Sequence, residues 1–296
     1  MLLDEERCRR ALAEAVPAVD ISSVRHFGAG WDYELWEING ELLARFPLRE
    51  ECAAPLRSEG RLLAALADEL SVAVPRPEYV SNGCSSFLLP FFAYRTLPGV
   101  PLAEATLDDQ ARTAVARQLG RFLTELHSFP VERAAGLGVP VYTPESWRQR
   151  YVALHERVRA DVYPLLDDDE SKRIEAFWQD FLGRVEYVTF RPALIHHDLS
   201  GEHVLLDAER GSITGVIDFG DACVGDPAFD FAGFEGPFRD TMLSSYKLPL
   251  DETFEERPDV YRRISPFHAV LFGLDVAGDA GWVQRGIEAI RDGLKA

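Results

Sequence analysis

The stretch LIHHDLSGEHVLLDAERGSITGVIDFGD, residues 194–221, decides how this chain is read. An apolar run from Ala193 to Ile195 has the make-up of a short strand and delivers His196, His197 and Asp198 to a loop; His203 follows five residues after Asp198. A second strand-like run, Ile213 to Ile217, ends in Asp218 with Phe219 and Gly220 behind it. An aspartate on a strand-end loop can take a proton from a hydroxyl, while a second aspartate and a neutral imidazole can hold a divalent cation. Those parts suit metal-assisted phosphoryl transfer. A hydrolytic zinc cluster would call for H-E-x-x-H or cysteine-rich spacing, which the sequence lacks, and would leave D-F-G unexplained.

The order H-x-D-x-x-x-x-N followed by D-F-G is the kinase signature, and His203 stands where that signature has asparagine. With that histidine the stretch resembles the aminoglycoside phosphotransferase family of kinase-like enzymes, most closely its aminoglycoside 2″-phosphotransferase branch, which carries histidine at this place. The resemblance implies an α+β, protein-kinase-like fold of two lobes. Residues 1–93 would form a small nucleotide-binding lobe with an antiparallel sheet, and residues 94–296 a larger, mainly helical lobe for catalysis and substrate binding. It further implies Asp198 as the catalytic residue, His203 and Asp218 as ligands of Mg²⁺, His196 as a scaffold for the loop, and ATP or GTP as donor. Mg²⁺ prefers oxygen, so a histidine ligand also predicts tolerance for Mn²⁺.

Upstream, Ser23 to Phe27, the turn Gly28-Ala29-Gly30-Trp31-Asp32 and Tyr33 to Ile38 read as strand, glycine loop and strand. Glycine at Gly28 and Gly30 lets backbone approach phosphate oxygens without a Cβ in the way. Asn39-Gly40 fits a type I′ turn, and Glu41 to Pro47 a third strand. Arg45 in that strand occupies the place of the kinase lysine, so the resemblance implies phosphate contact; an exposed strand arginine is the competing reading. A helix is expected from Glu50 to Leu70, with Glu59 or Glu51 as the ion-pair partner of Arg45. The segments VPRPEYV and SSFLLPFFAY read as a fourth and a fifth strand. Kinase-like folds join their lobes just after the fifth strand, which places the hinge and its purine contacts at Phe91, Phe92 and Tyr94.

Further along, Thr106 is expected to cap a helix that carries Leu119, Phe122, Leu123 and Leu126 on one face, with His127 structural. Pro144 to Tyr163 reads as another helix with Trp147, Tyr151 and Leu154 buried, and Asp167 to Glu170 as the turn capping a helix from Ser171 to Val185. The string DACVGDPAFDFAGF resembles the family's D-P-x-x-D-F element, which implies that Asp230 accepts backbone hydrogen bonds and holds the catalytic loop, with Asp226 in similar work.

In a chain of 296 residues, 49 are acidic and 31 basic, a formal net charge of −18. That balance argues against a nucleic-acid surface and suits a polycationic small molecule, although solubility alone also explains it. No run of eighteen apolar residues exists, and residues 4–10 are charged almost throughout, so neither a membrane span nor a signal peptide is expected. Cys8, Cys52, Cys84 and Cys223 have no paired spacing, which suits free thiols in the cytoplasm. A monomer is expected. Transfer to an aminoglycoside hydroxyl, conferring resistance, is the leading expectation; a macrolide 2′-phosphotransferase, a metabolic small-molecule kinase and a nucleotide-binding pseudokinase are its rivals. Asp221, Glu235, Asp240 and Glu202 are the acidic candidates for the acceptor, each with a plain surface carboxylate as the competing reading. Trp282 could stack on a sugar or pack in the core.

Overall fold

The computed structural model describes residues 3–277 and 280–294. Helix α1 (Glu5–Ala15) starts where the Asp4 carboxylate accepts the Arg7 amide at 2.7 Å, with Glu5 and Glu6 placed well against the helix dipole. Strands β1 (Val24–Ala29), β2 (Tyr33–Ile38), β3 (Leu42–Pro47), β4 (Pro77–Ser81) and β5 (Phe91–Arg95) form an antiparallel sheet in the order β1-β2-β3-β5-β4. Asn39 and Gly40 both adopt positive φ, 56° and 73°, as the type I′ reading requires.

Strand alternation decides which side chain faces which layer. Ala44 and Phe46 of β3 join Trp36, Phe91, Ala93 and the α1 residues Cys8, Ala11 and Leu12 in one apolar cluster. Leu43, Phe92 and Tyr94 face the other way, against Leu56, Leu62, Leu63 and Leu66 of α2 (Ala53–Leu66). Arg45 shares that second face. The helix is shorter than expected because its first turn, Glu50–Cys52, is 3₁₀ and because it stops at Leu66.

The expected hinge is corrected. Phe91, Phe92 and Tyr94 lie inside β5, an interior strand paired with β3 on one edge and β4 on the other, and all three are buried. Phe91 even points to the α1 side. The sheet runs to Arg95, and the connection between lobes is residues 96–99. Gly99, at φ 126°, is required there: a Cβ would lie 2.4 Å from Thr214 Oγ1 and 2.8 Å from the Leu206 carbonyl. Residues 85–90, expected in the fifth strand, form a loop whose Ser85 and Ser86 hydroxyls bond to Glu14.

Beyond the connection, β6 (Val100–Pro101) pairs with β8 (Val204–Asp207), which pairs with β9 (Ser212–Val216); β7 (Ala193–Ile195) pairs with β10 (Cys223–Gly225). The surrounding helices are α3 (Asp109–His127), α4 (Val131–Gly136), α5 (Pro144–Arg157), α6 (Asp168–Gly183), α7 (Gly236–Ser245), α8 (Arg257–Phe272) and α9 (Ala280–Gly293). The cap of α3 is Asp108 rather than Thr106, its carboxylate accepting the Ala111 amide at 2.7 Å. Helix α5 ends in a π turn at Val158–Val162 and a 3₁₀ turn at Tyr163–Leu165, and Asp167 caps α6 in a capping box with Glu170. The four cysteines are free thiols. Among the described residues no helix is long and apolar enough to cross a membrane.

Asp226 does different work from the expected loop support. It accepts from Arg257 Nε at 2.6 Å and from the Tyr261 hydroxyl at 2.6 Å, while Arg257 Nη2 also bonds Asp251 at 2.8 Å. Arg257 is fully buried, so this network fastens α8 to the segment after β10. Breaking a buried charge pair leaves the other charge uncompensated. Arg257→Met is therefore expected to destabilise the fold by about 3–5 kcal/mol, read from the midpoint of urea unfolding.

Candidate active site

Strand β7 ends at Ile195, and the loop after it is held from below by one carboxylate. Asp230, fully buried, accepts the amides of His196 and His197 at 2.8 Å each and faces His127 Nε2 at 3.1 Å. Burial pushes the Asp230 carboxyl up, but the His127 hydrogen bond and charge and the His196 amide outweigh it, and it lies below the usual carboxylate range. His127 also bonds the Tyr246 hydroxyl at 2.9 Å, the structural part expected of it.

His196 ties this loop to the next. Its Nε2 donates to the Ile217 carbonyl at 2.9 Å, which fixes the tautomer and leaves Nδ1 to accept the Asp198 amide at 3.3 Å. Burial holds the ring neutral. Two residues take left-handed backbone, His197 at φ 69° and Asp218 at φ 65°. Such conformations cost about 1 kcal/mol each and persist where neighbours over-determine them.

A chain of charges crosses from the sheet to the two loops. Arg45 Nε lies 3.3 Å from Glu59 Oε2, Arg45 Nη2 donates to Asp218 Oδ1 at 2.8 Å, and the guanidinium sits 4.2 Å from the centre of the Tyr33 ring. Glu59, not Glu51, is thus the partner of Arg45; Glu51 pairs with Arg49 at the surface. Asp218 Oδ2 lies 3.9 Å from His203 Nε2. His203 Nδ1 donates to the Asp198 main-chain carbonyl at 2.6 Å and lies 3.5 Å from the Asp198 carboxylate. Gly220 is glycine for a stated reason: a Cβ there would sit 2.8 Å from Arg45 Nη2.

Electrostatics sort the two aspartates into different roles. Burial pushes Asp218 up, yet Arg45 and His203 pull harder and leave it below the usual range, so it is anionic. Asp198 is pushed up to about 7, by burial first and then by Asp221, Asp218 and Glu202 against the pull of His203. A carboxylate of that basicity suits proton acceptance near neutral pH. A cation fits between His203 and Asp218: the Nε2 lone pair is free because Nδ1 carries the proton, and Oδ2 is free because Oδ1 takes Arg45. Mg²⁺ is held by one or two protein groups with phosphate and water completing the shell, and among the described residues no third ligating side chain joins this pair.

The glycine loop leaves open space at both of its glycines. A Cβ at Gly28 would meet nothing within 4 Å, and at Gly30 nothing nearer than 3.9 Å. At the loop tip Trp31 stacks on Phe272, with ring centres 3.7 Å apart and planes at 6°, and Trp282 meets both rings edge-on.

Of the acidic candidates, Asp221 and Glu202 belong to the field around Asp198. Glu235 pairs with Arg262, which bonds Asp259, and Asp240 lies in the field of Arg239, itself bonded to Asp259. Glu235 is therefore part of a surface ion-pair network, and Asp240 lies close to it without pairing. Arg150 and His268, which no sequence motif marks, come from distant segments: Arg150 lies in the field of Asp221 and of His197, and His268 in that of Arg150.

The sequence pattern that defines the phosphotransferase enzyme family matches residues 23–246. Among solved structures, the GDP and kanamycin complex of aminoglycoside 2″-phosphotransferase IIIa superposes with a TM-score of 0.88 at 29% identity, covering 97% of each chain. The apoenzyme of a macrolide 2′-phosphotransferase from Brachybacterium faecium gives 0.73 at 26% identity, covering 94% of this chain and 96% of its own. Viomycin phosphotransferase of Streptomyces vinaceus is 28% identical over 197 residues, which is 64% of this chain and 66% of that protein's length.

Because Asp230 titrates below its unfolded value, the stability it contributes is present above about pH 4 and lost as pH falls through its folded value. Asp230→Asn is expected to cost about 2–3 kcal/mol at neutral pH, and the gap to the parent chain to close in acid, as followed by thermal unfolding between pH 3 and 7.

Proposed function

The chain belongs to the phosphotransferase enzyme family, and from that premise we propose that it moves the γ-phosphoryl group of ATP or GTP to a hydroxyl of a polycationic antibiotic of the aminoglycoside type. The observation that carries this reading is the unbroken line Glu59, Arg45, Asp218, His203, Asp198.

In this reading Gly28 and Gly30 admit the phosphates, and Arg45, held by Glu59, supplies a guanidinium able to bond two phosphate oxygens at once. His203 Nε2 and Asp218 Oδ2 would hold Mg²⁺, which neutralises charge on the phosphates when bound. Asp198 accepts a hydrogen bond from the acceptor hydroxyl, orients it in line with the γ-phosphorus and takes its proton as the new oxygen–phosphorus bond forms and the bond to the β,γ-bridging oxygen breaks, releasing nucleoside diphosphate. Since the transition state is loose, orientation and charge neutralisation supply most of the rate. Asp198, Asp221 and Glu202 together make a negative field that attracts ammonium groups. This disfavours an apolar macrolide cleft, and an ordered Asp198 and Asp218 disfavour a pseudokinase. The GDP and kanamycin bound by a relative of 29% identity support both halves of the reading. Monomeric state and cytoplasmic location belong to the same proposal.

The test is phosphoryl transfer to kanamycin, viomycin, erythromycin and homoserine, with ATP and GTP offered separately. Transfer to the polycations is expected. Transfer to erythromycin alone would replace this reading with the macrolide one, and nucleotide binding without any transfer would favour the pseudokinase. Asp198→Ala is expected to lower kcat by about 10²–10⁴-fold, and Asp218→Ala by at least as much, in the same assay.

A further inference from the structure

Arg150 stands on α5, one turn after Trp147, and its surroundings set it apart from the ion-paired arginines of this acidic chain. Its guanidinium lies 4.4 Å from the centre of the Tyr142 ring and 5.1 Å from that of Trp147, and it makes no hydrogen bond or ion pair among the described residues. Stacking on two rings fixes its position while leaving its N–H donors without acceptors.

Through Trp147, Arg150 lies beside the catalytic loop. Trp147 meets the His197 ring edge-on at 5.5 Å, and His197 is the residue before Asp198. Arg150 acts electrostatically on His197, on Asp221 and on His268 of α8, and Asp221 in turn acts on Asp198. Both imidazoles are neutral, held so by burial first and by Arg150 second. The surroundings of Asp198 therefore combine carboxylates at Asp221 and Glu202 with two guanidinium groups, that of Arg45, already engaged by Glu59 and Asp218, and that of Arg150, which has no carboxylate partner among the described residues. Arg150 and Asp221 are not ion-paired, so the guanidinium donors stay open to an oxygen of a bound molecule.

From this arrangement we propose that Arg150 is a specificity-determining residue: it receives a carbonyl or carboxylate oxygen of the acceptor close to the hydroxyl that is phosphorylated. The inference rests on the transfer activity proposed above and, within the polycationic antibiotics, favours a peptide-type acceptor over an amino sugar. An ammonium group at this point would be repelled by Arg150, whereas an amide-rich, peptide-type polycation satisfies both kinds of group. Its cationic groups face Asp221 and Glu202, and its carbonyl oxygen accepts from the guanidinium, a charge-assisted hydrogen bond. Selectivity of this kind comes as much from repulsion of the wrong group as from attraction of the right one.

The test is calorimetric titration of the full chain, holding nucleoside diphosphate and Mg²⁺, with viomycin as the peptide-type polycation and kanamycin as an amino sugar without carbonyl groups. Arg150→Met keeps an unbranched apolar stem over Trp147 and Tyr142 and removes the charge; Arg150→Lys returns the charge. Arg150→Met is expected to weaken viomycin binding tenfold or more, to leave kanamycin unchanged or tighter, and to leave nucleotide affinity unchanged, with Arg150→Lys recovering part of the loss. Equal weakening of both antibiotics, or no change in either, would overturn the proposal and leave Arg150 a packing residue. A parent chain that holds nucleotide yet binds neither antibiotic would contradict the acceptor class itself, and this assignment with it.

Discussion

A guanidinium buried in a lobe interface is the constraint on which the rest of this structure depends. Arg45 is 7% exposed, and a charge so placed is tolerated only with opposite charge and aligned dipoles around it. Glu59 from α2, Asp218 from the loop after β9 and the face of Tyr33 from β2 meet that need together. Their convergence fixes the depth of α2 against the sheet, where Gly60 lets the helix approach Phe92, and it fixes the loop bearing Asp218 against β3. The glycine of D-F-G follows from the same contact, since any side chain at Gly220 would strike the guanidinium.

The catalytic loop is built on a second buried charge. Asp230 satisfies two consecutive amides at the point where His197 turns into left-handed backbone, and His196 links that turn to the carbonyl of Ile217. The two aspartates that face the cleft are thus positioned from different directions, Asp198 through its own loop and Asp218 through Arg45. His203 lies between them, its donor nitrogen turned to one and its lone pair to the other. Rigidity at this point suits a reaction in which alignment does most of the work.

Much of this was legible in the letters. The type I′ turn at Asn39-Gly40 and the strand carrying Arg45 follow from short-range rules, the clamp at Asp230 from the family resemblance, and the structure bears them out; the capping turn expected over Asp167–Glu170 is reduced to Asp167, with the helix starting at Asp168. Errors arose where the outcome depends on distant segments. The apolar run FFAY marks a strand, but only its pairing with β3 and β4 shows that it continues to Arg95, so the lobe connection was expected too early. Thr106 and Asp108 are both good caps, and a carboxylate two residues nearer the helix prevails. Glu235 is an acidic letter near the site in sequence, yet Arg262 engages it at the surface. Arg150, His197, Asp221 and His268 come from four segments, and only the fold brings them together.

The account turns on Glu59 acting through Arg45 rather than by itself. Nucleotide affinity, measured by calorimetry for the parent chain, Glu59→Gln, Arg45→Met and the double variant, tests that link directly. If Glu59 serves to hold Arg45, Glu59→Gln weakens nucleotide binding in the parent chain and changes nothing further once Arg45 is methionine. An equal loss in both backgrounds would contradict the account, because Glu59 would then be acting on the nucleotide by another route.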